Sequence, residues 1–229
     1  ETIMSESEKT DKFEFLAAVF LGITAILTAV SSFQAGLWDG KQAESYGMAN
    51  TQATAAAAER AKATVEMSKD AQIDINAYQL ISLEDPKSDL IATYLYTRQL
   101  SDPGYKALQL PPEAKRDEGE DEEKTAALQG EILDKAKELD LVGNETYQKE
   151  MLAKADELNV QAEKTFKDGN YANEVSDKFD LVNVIFAISL FFLGIALVFK
   201  SDMRWKVLMF GGLLSLGGLI YMITLDWTS

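Results

Sequence analysis

Near the end of the chain two apolar runs, residues 181–199 and 207–225, stand only seven residues apart. Each is about the twenty residues that a helix needs to cross a hydrocarbon core of ~30 Å. The pattern predicts a transmembrane helical hairpin. A third apolar run, residues 13–33, lies at the other end, so region 34–180 is expected to be a polar domain with both ends tied to the membrane. A signal peptide is the competing reading of the first run. Its length exceeds a typical h-region and no small-x-small cleavage pattern follows it, so we read it as a retained span.

The fold class expected is all-α: an integral membrane protein with three transmembrane helices and an extramembrane antiparallel helical bundle or coiled coil. Residues 1–12 form a polar tail, 200–206 a basic loop and 226–229 a short polar end. With no initiator Met at position 1, residues before Glu1 are left open.

Mean hydropathy is −0.11, which resembles a soluble protein only because two populations are averaged. Of the 37 acidic residues, only Asp202 and Asp226 lie from position 181 onward, and only Glu14 falls inside the first run. The polar region is therefore strongly acidic, in a chain of net charge −15. Such a surface repels nucleic acid and favours cations or basic partners. The chain has no Cys and no His, which removes thiol nucleophiles, disulfides and the commonest zinc and general-base chemistry. Neither a cofactor nor a metal site is expected, and an enzyme is the weakest functional reading.

No proline occurs between positions 34 and 83, and the run Ala53-Thr54-Ala55-Ala56-Ala57-Ala58 is built of strong helix formers. The first span is expected to continue as a long helix, about 100 Å if unbroken. Along it Tyr46, Asn50, Ala53, Ala57, Ala61, Thr64, Ser68, Ala71, Ile75 and Tyr78 recur at three- and four-residue steps without a charge. That seam suits close approach of another helix. Asp85-Pro86 ends the helix, and a shorter one is expected over 89–100, stopping at Asp102-Pro103-Gly104. Pro111, Pro112 and the acidic residues Asp117, Glu118, Glu120, Asp121, Glu122 and Glu123 predict an exposed loop. The acidic group lacks the spacing of a calcium loop. Two amphipathic stripes follow: Leu128, Ile132, Ala136 and Leu139, then Tyr147, Met151, Ala155, Leu158, Ala162 and Thr165, with a turn over 140–144. Asp168-Gly169-Asn170 predicts a second turn, after which a helix runs from Tyr171 into the second span.

Lys200, Arg204 and Lys206 against one Asp202 place the short loop 200–206 in the cytoplasm by the positive-inside bias. The N-terminus then lies inside, and region 34–180 and the C-terminus outside. Trp38, Trp205, Tyr221 and Trp227 fall near span ends, as interfacial anchors do.

Two stretches carry a resemblance. Ser32-Phe33-Gln34-Ala35-Gly36-Leu37-Trp38-Asp39-Gly40-Lys41-Gln42-Ala43 follows the first span. Ser176-Asp177-Lys178-Phe179-Asp180-Leu181 runs into Phe186-Ala187 and Leu190-Phe191-Phe192-Leu193-Gly194. Together they resemble the signature positions of a family of uncharacterised bacterial three-pass membrane proteins, in which Tyr-Gln-Ala and Trp-Gly-Gly-Glu-Gln-Ala follow the first span. Phe33 here replaces the Tyr, Asp39 the first Gly and Lys41 the Glu. The resemblance implies the same span order and a bacterial cytoplasmic membrane. It brings no activity with it.

Gln34, Trp38, Asp39, Asp177 and Asp180 would gather near the outer membrane surface if both long helices enter there, and are the candidate collar. Ala18 and Gly22 of the first span, with Gly211, Ser215 and Gly218 of the third, are candidate helix-packing positions, since small residues let backbones approach. Glu14 and Asn183, in the first turns of their spans, are read as interfacial or interhelical hydrogen-bonding groups. Asn144-Glu145-Thr146 matches a glycosylation acceptor pattern without an export context to support it. The function expected is a membrane structural or assembly module that forms homo-oligomers, its partners being the bilayer and further copies. The alternative is a cation channel or transport component made by a ring of protomers.

Overall fold

The computed structural model describes residues 6–115, 122–199 and 203–228, and every regular element among them is helical. Helix α1 spans Glu6–Ile81, α2 Pro86–Tyr94, α3 Asp102–Ala107, α4 Glu122–Glu138, α5 Glu145–Val198 and α6 Met203–Ile223. A π-helical turn, Leu95–Gln99, prolongs α2, and a 3-10 turn, Pro112–Lys115, precedes α4. Helices α1, α5 and α6 are each long and apolar enough to cross a membrane. The side chains of the acidic group 117–123, and Lys200 and Asp202 of the basic loop, lie outside the described residues.

The chain divides into two compact units, residues 1–49 with 163–229 and residues 50–162. The compact unit 50–162 lies within the region 34–180 read from hydropathy. Ala35, Trp38, Ala172, Val175 and Phe179 share one buried cluster with Val182, Phe186 and Met222.

In the first unit a second cluster joins Phe13, Ala17, Leu193, Ala196 and Leu208. Many of the largest apolar side chains point away from both: Phe15 is 72% exposed, Ile26 66%, Phe191 62% and Leu213 64%. Gly211 and Gly218 let α6 lie close against α5. A Cβ at Gly211 would come within 2.9 Å of the Leu193 side chain, and one at Gly218 within 2.8 Å of the Phe186 ring.

Asp168-Gly169-Asn170 is not a turn, contrary to expectation. It lies inside α5, which runs unbroken for 54 residues. Gly169 is used for what it lacks: a Cβ there would sit 2.6 Å from the Tyr46 ring. Next to it, the Tyr46 hydroxyl donates to Asn170 Oδ1 at 2.7 Å. The composition of a turn here serves a helix–helix contact.

The second unit has its core around Tyr96, Leu108, Ile132 and Leu141, all essentially solvent-free. Helix α2 starts at Pro86 and not at position 89, because Asp85 caps it by accepting the Ser88 N–H at 3.1 Å, and proline is tolerated in a first turn. It gives way to the π-helical turn after Tyr94, short of position 100. Asp102-Pro103-Gly104 opens a helix where an ending was expected. Ser101 caps α3 by accepting the Gly104 N–H at 3.1 Å. The turn over 140–144 is present: Asp140 accepts from the Gly143 N–H at 3.0 Å, and Asn144 caps α5 through the Tyr147 N–H at 3.0 Å. In this unit the stripes Leu128, Ile132, Ala136, Leu139 and Tyr147, Met151, Ala155, Leu158, Ala162 are buried or half-buried, as the spacing predicts.

The uncharged seam of α1 is not what the chain buries. Within the second unit Ala56, Ala63, Asp70 and Ala77, at seven-residue steps, face inward. Asn50, Ala53, Ala57, Ala61, Thr64, Ser68, Ile75 and Tyr78 are exposed, and Ala71 is half-buried. Two turns of helix take about seven residues, so the inward row is as regular as the seam. It contains a charge, and a criterion of no charge passes over it.

Replacing Gly169 by Ala is expected to lower the thermal midpoint of the full chain in detergent, at a cost of about 1–3 kcal/mol for an over-packed contact. Gly36→Ala is its counterpart. A Cβ at Gly36 meets nothing within 4 Å, so the gain in helix propensity leaves that variant as stable or more so. Equal midpoints for the two would show that the Tyr46 contact does not constrain α5.

Candidate functional site

In the first unit the inner faces of α1 and α5 carry a ladder of polar contacts. Ser31 Oγ donates to the Phe179 carbonyl at 3.0 Å, and Ser176 Oγ donates to the Ala35 carbonyl at 3.0 Å. Gln42 Nε2 donates to Asn173 Oδ1 at 2.7 Å, one turn before the Tyr46–Asn170 bond. Positions rising along α1 meet positions falling along α5, so the two segments are antiparallel. Spacing of three and four residues puts Ser31, Gln34, Ala35, Trp38, Gln42 and Tyr46 on one face.

Of the five collar residues, two meet at a single place. Gln34 is buried; its Nε2 donates to the Thr228 carbonyl at 3.1 Å and its Oε1 accepts the Thr228 N–H at 3.1 Å. The buried Trp38 donates its indole N–H to the Asp226 carbonyl at 2.9 Å. Lys41 stands 4.9 Å over the Trp38 ring, and Tyr171 meets that ring edge-on at 5.8 Å. The Tyr171 hydroxyl donates to the Asp226 carboxylate, and this hydrogen bond holds its ionisation above the ordinary phenol value. Asp39, Asp177 and Asp180 do not join them. All three are exposed; Asp177 accepts from Asn173 at 3.1 Å and Asp180 from Asn183 at 3.4 Å.

The packing candidates also separate. Gly211, Ser215 and Gly218 are buried on α6, where Ser215 Oγ and Thr24 Oγ1 are hydrogen-bonded at 2.8 Å. The Gly211 carbonyl accepts from Ser189 Oγ at 2.6 Å. Ala18 and Gly22 are exposed, with no atom near enough to touch a Cβ on Gly22. Glu14 is exposed and Asn183 is half-buried. Asn144 spends its side chain on the α5 cap and on the Ala107 carbonyl, at 3.4 Å.

The second unit holds a group that the sequence reading did not single out. Asp70 is fully buried; its carboxylate accepts the Ser101 N–H at 3.0 Å, the Ser101 hydroxyl, and the Tyr147 hydroxyl at 2.8 Å. Ser101 in turn caps α3, and a Cβ at Gly104 would lie 2.8 Å from Asp70 Oδ2. One turn on, Asp74 accepts from the Tyr96 hydroxyl at 2.9 Å. Burial pushes the ionisation of Asp74 up, and that of Tyr96, Tyr147 and Tyr105 above the ordinary phenol range. The seven-residue recurrence with Ala56, Ala63 and Ala77 was the available signal for Asp70.

Chemically these groups bind and brace. The donors on Asp70 are two side chains and one amide of the same unit. Among the described residues no three His, Cys, Asp or Glu side chains converge as a metal site would require. No family model, curated protein or solved structure matches the chain.

Asp70→Ala strands three donors in a buried place and is expected to destabilise the second unit by about 3 kcal/mol or more, read as faster amide exchange over residues 86–110. Exchange unchanged from the parent would show that Asp70 does not brace the unit. The tyrosines give a pH test. Their folded-state ionisation lies above the unfolded value near 10.0, so the folded unit holds protons that the unfolded chain releases. That stability is complete below pH 10 and is lost as pH rises further. In an alkaline titration of the full chain, Tyr96, Tyr105 and Tyr147 should ionise only together with loss of helical circular dichroism. Reversible ionisation of all 8 tyrosines with the helices intact would contradict it.

Proposed function

We propose that the chain is a three-pass protein of a bacterial cytoplasmic membrane and serves there as a homo-oligomeric structural or assembly module. Residues 13–33, 181–199 and 207–225 cross the bilayer, the loop 200–206 faces the cytoplasm, and the unit 50–162 stands outside as an antiparallel helical bundle. The resemblance to the bacterial three-pass family agrees with this order.

Membrane insertion is supported by the outward apolar side chains of the first unit. In the most apolar stretch of α1 only 17% of residues are buried, and 28% in those of α5 and α6. Each square ångström of apolar surface left in water costs about 25 cal/mol. In hydrocarbon that cost vanishes.

Assembly is supported by the single observation that each unit exposes an uncharged row of small residues on α1. In the first unit it comprises Ala18, Gly22, Ala25, Ala29, Ser32, Gly36, Gly40, Ala43 and Gly47, all exposed. In the second it is the seam of Asn50, Ala53, Ala57, Ala61, Thr64 and Ser68. The chain is 26% charged, yet these positions carry no charge. Small side chains lose little rotamer entropy and let helix backbones come close. A second copy of α1 fits that chemistry. The reading assigns no reaction to the chain.

Native mass in lipid nanodiscs should give one discrete multimer. Ala57→Glu and Ala61→Glu, at exposed positions where folding tolerates a charge, should shift it toward monomer. A parent that is monomeric at every concentration would overturn the assembly reading.

A further inference from the structure

Helix α6 ends at Ile223, and a short turn follows in which the Thr224 and Leu225 N–H groups donate to the Tyr221 and Met222 carbonyls at 3.0 and 3.3 Å. Residues 226–228 belong to no helix. Their backbone groups need partners, and the first unit supplies them from α1.

The partners form a pattern. One primary amide, that of Gln34, takes both the N–H and the carbonyl of Thr228, as a neighbouring β-strand would. The indole of Trp38 takes the carbonyl of Asp226, two residues earlier. In extended backbone, residues two apart present themselves to the same side. The Trp227 ring between them meets Phe179 edge-on at 5.7 Å. Its indole N–H donates back to the Met222 carbonyl at 3.2 Å. Tyr171 completes the seat by donating to the Asp226 side chain. None of the three α1 bonds uses a side chain of residues 226–228.

We infer that residues 226–228 are a strap, and that Gln34 and Trp38 form a backbone-reading latch that decides whether the end of α6 stays seated on α1. This goes beyond the assembly reading; it rests on the membrane reading and not on oligomer formation. Within hydrocarbon, helix association gains nothing from the hydrophobic effect and relies on packing and hydrogen bonds. The hydrogen bonds of α6 toward its neighbours include Thr24–Ser215 and Ser189–Gly211, both away from its end. The latch adds three bonds at that end. Gln34 and Trp38 hold residues 226–228 through three bonds along one short stretch, and lifting that stretch breaks all three. The strap therefore seats and leaves as one piece.

The chain has no native cysteine, so Thr228→Cys gives one reporting thiol and leaves the latched backbone groups in place. Thr224→Cys, at an exposed position just before the strap, is the control. The experiment is the maleimide labelling rate of the full chain in nanodiscs, with helicity checked by circular dichroism. In the parent background the thiol at 228 should label more slowly than that at 224. Trp38→Phe, which keeps an aromatic ring and removes the N–H, should speed labelling at 228 about tenfold, the worth of one such hydrogen bond. Gln34→Ala should do at least as much, and the rate at 224 should not change. Gln34→Glu, which keeps an acceptor but sets a charge against the Thr228 carbonyl, should also release the strap. Equal rates at 228 and 224 in the parent, or a rate at 228 that ignores Trp38→Phe in a helical chain, would overturn the proposal. If Gln34→Ala loses helicity, Trp38→Phe alone decides.

Discussion

The first unit depends on two serines that tie α1 and α5 together in both directions. Ser31 donates to a carbonyl of α5 and Ser176 donates to a carbonyl of α1, each at 3.0 Å and each buried. A serine hydroxyl is short, so it reaches a backbone carbonyl only when the two helices run close. Ala35 and Ala172 permit that closeness, and Gly169 extends it toward Tyr46. The register set by this pair leaves Gln34 and Trp38 on the same face, between the Ser31 and Gln42 contacts. Everything that gathers there, the Asp226–Thr228 contacts included, follows from that register.

In the first unit several hydroxyl groups are turned inward, while many of the largest apolar side chains are left outside. In a water-soluble bundle the reverse holds, since apolar side chains fill the core and charges cover the surface. Here Thr24, Ser31, Ser189 and Ser215 are buried, while Phe15, Ile26, Phe191 and Leu213 face out. Small hydroxyl side chains are the polar groups that can be satisfied by a neighbouring helix without charge, which suits a low-dielectric surrounding. Helix α6 follows the same logic, presenting Gly211, Ser215 and Gly218 inward and Met209, Leu213 and Leu216 outward.

The second unit solves a different problem. Its core is assembled from short elements whose ends expose backbone donors, and an ordinary apolar core offers those donors nothing. Asp70 answers this by accepting the Ser101 N–H and hydroxyl, while Ser101 caps α3. Tyr147 reaches the same carboxylate from α5. A single buried acid thus joins α1, α3 and α5 within the unit. Its position also explains Gly104, since any side chain there would meet the carboxylate.

How much of this was legible in the sequence depends on the range of the interaction. Hydropathy and helix periodicity are local, so the three apolar stretches, the all-helical character, the turn at 140–144 and the stripes on α4 and α5 could be read residue by residue. The collar was legible in part. Gln34 and Trp38 lie on the inner face of α1, whereas Asp39, Asp177 and Asp180 are exposed, because which way a helix faces is decided by its partner. The same holds for the seam, where hydropathy saw an uncharged row but packing chose the adjacent one containing Asp70. Gly169 misled for a related reason: a residue without a side chain reads as a turn until something is found occupying the space. Local physics in the sequence alone determined which segments are helical and which are apolar. Only the tertiary structure decided which face of each helix is buried, where residues 226–228 attach and which acid is enclosed, since those rest on contacts between residues 22 to 194 positions apart.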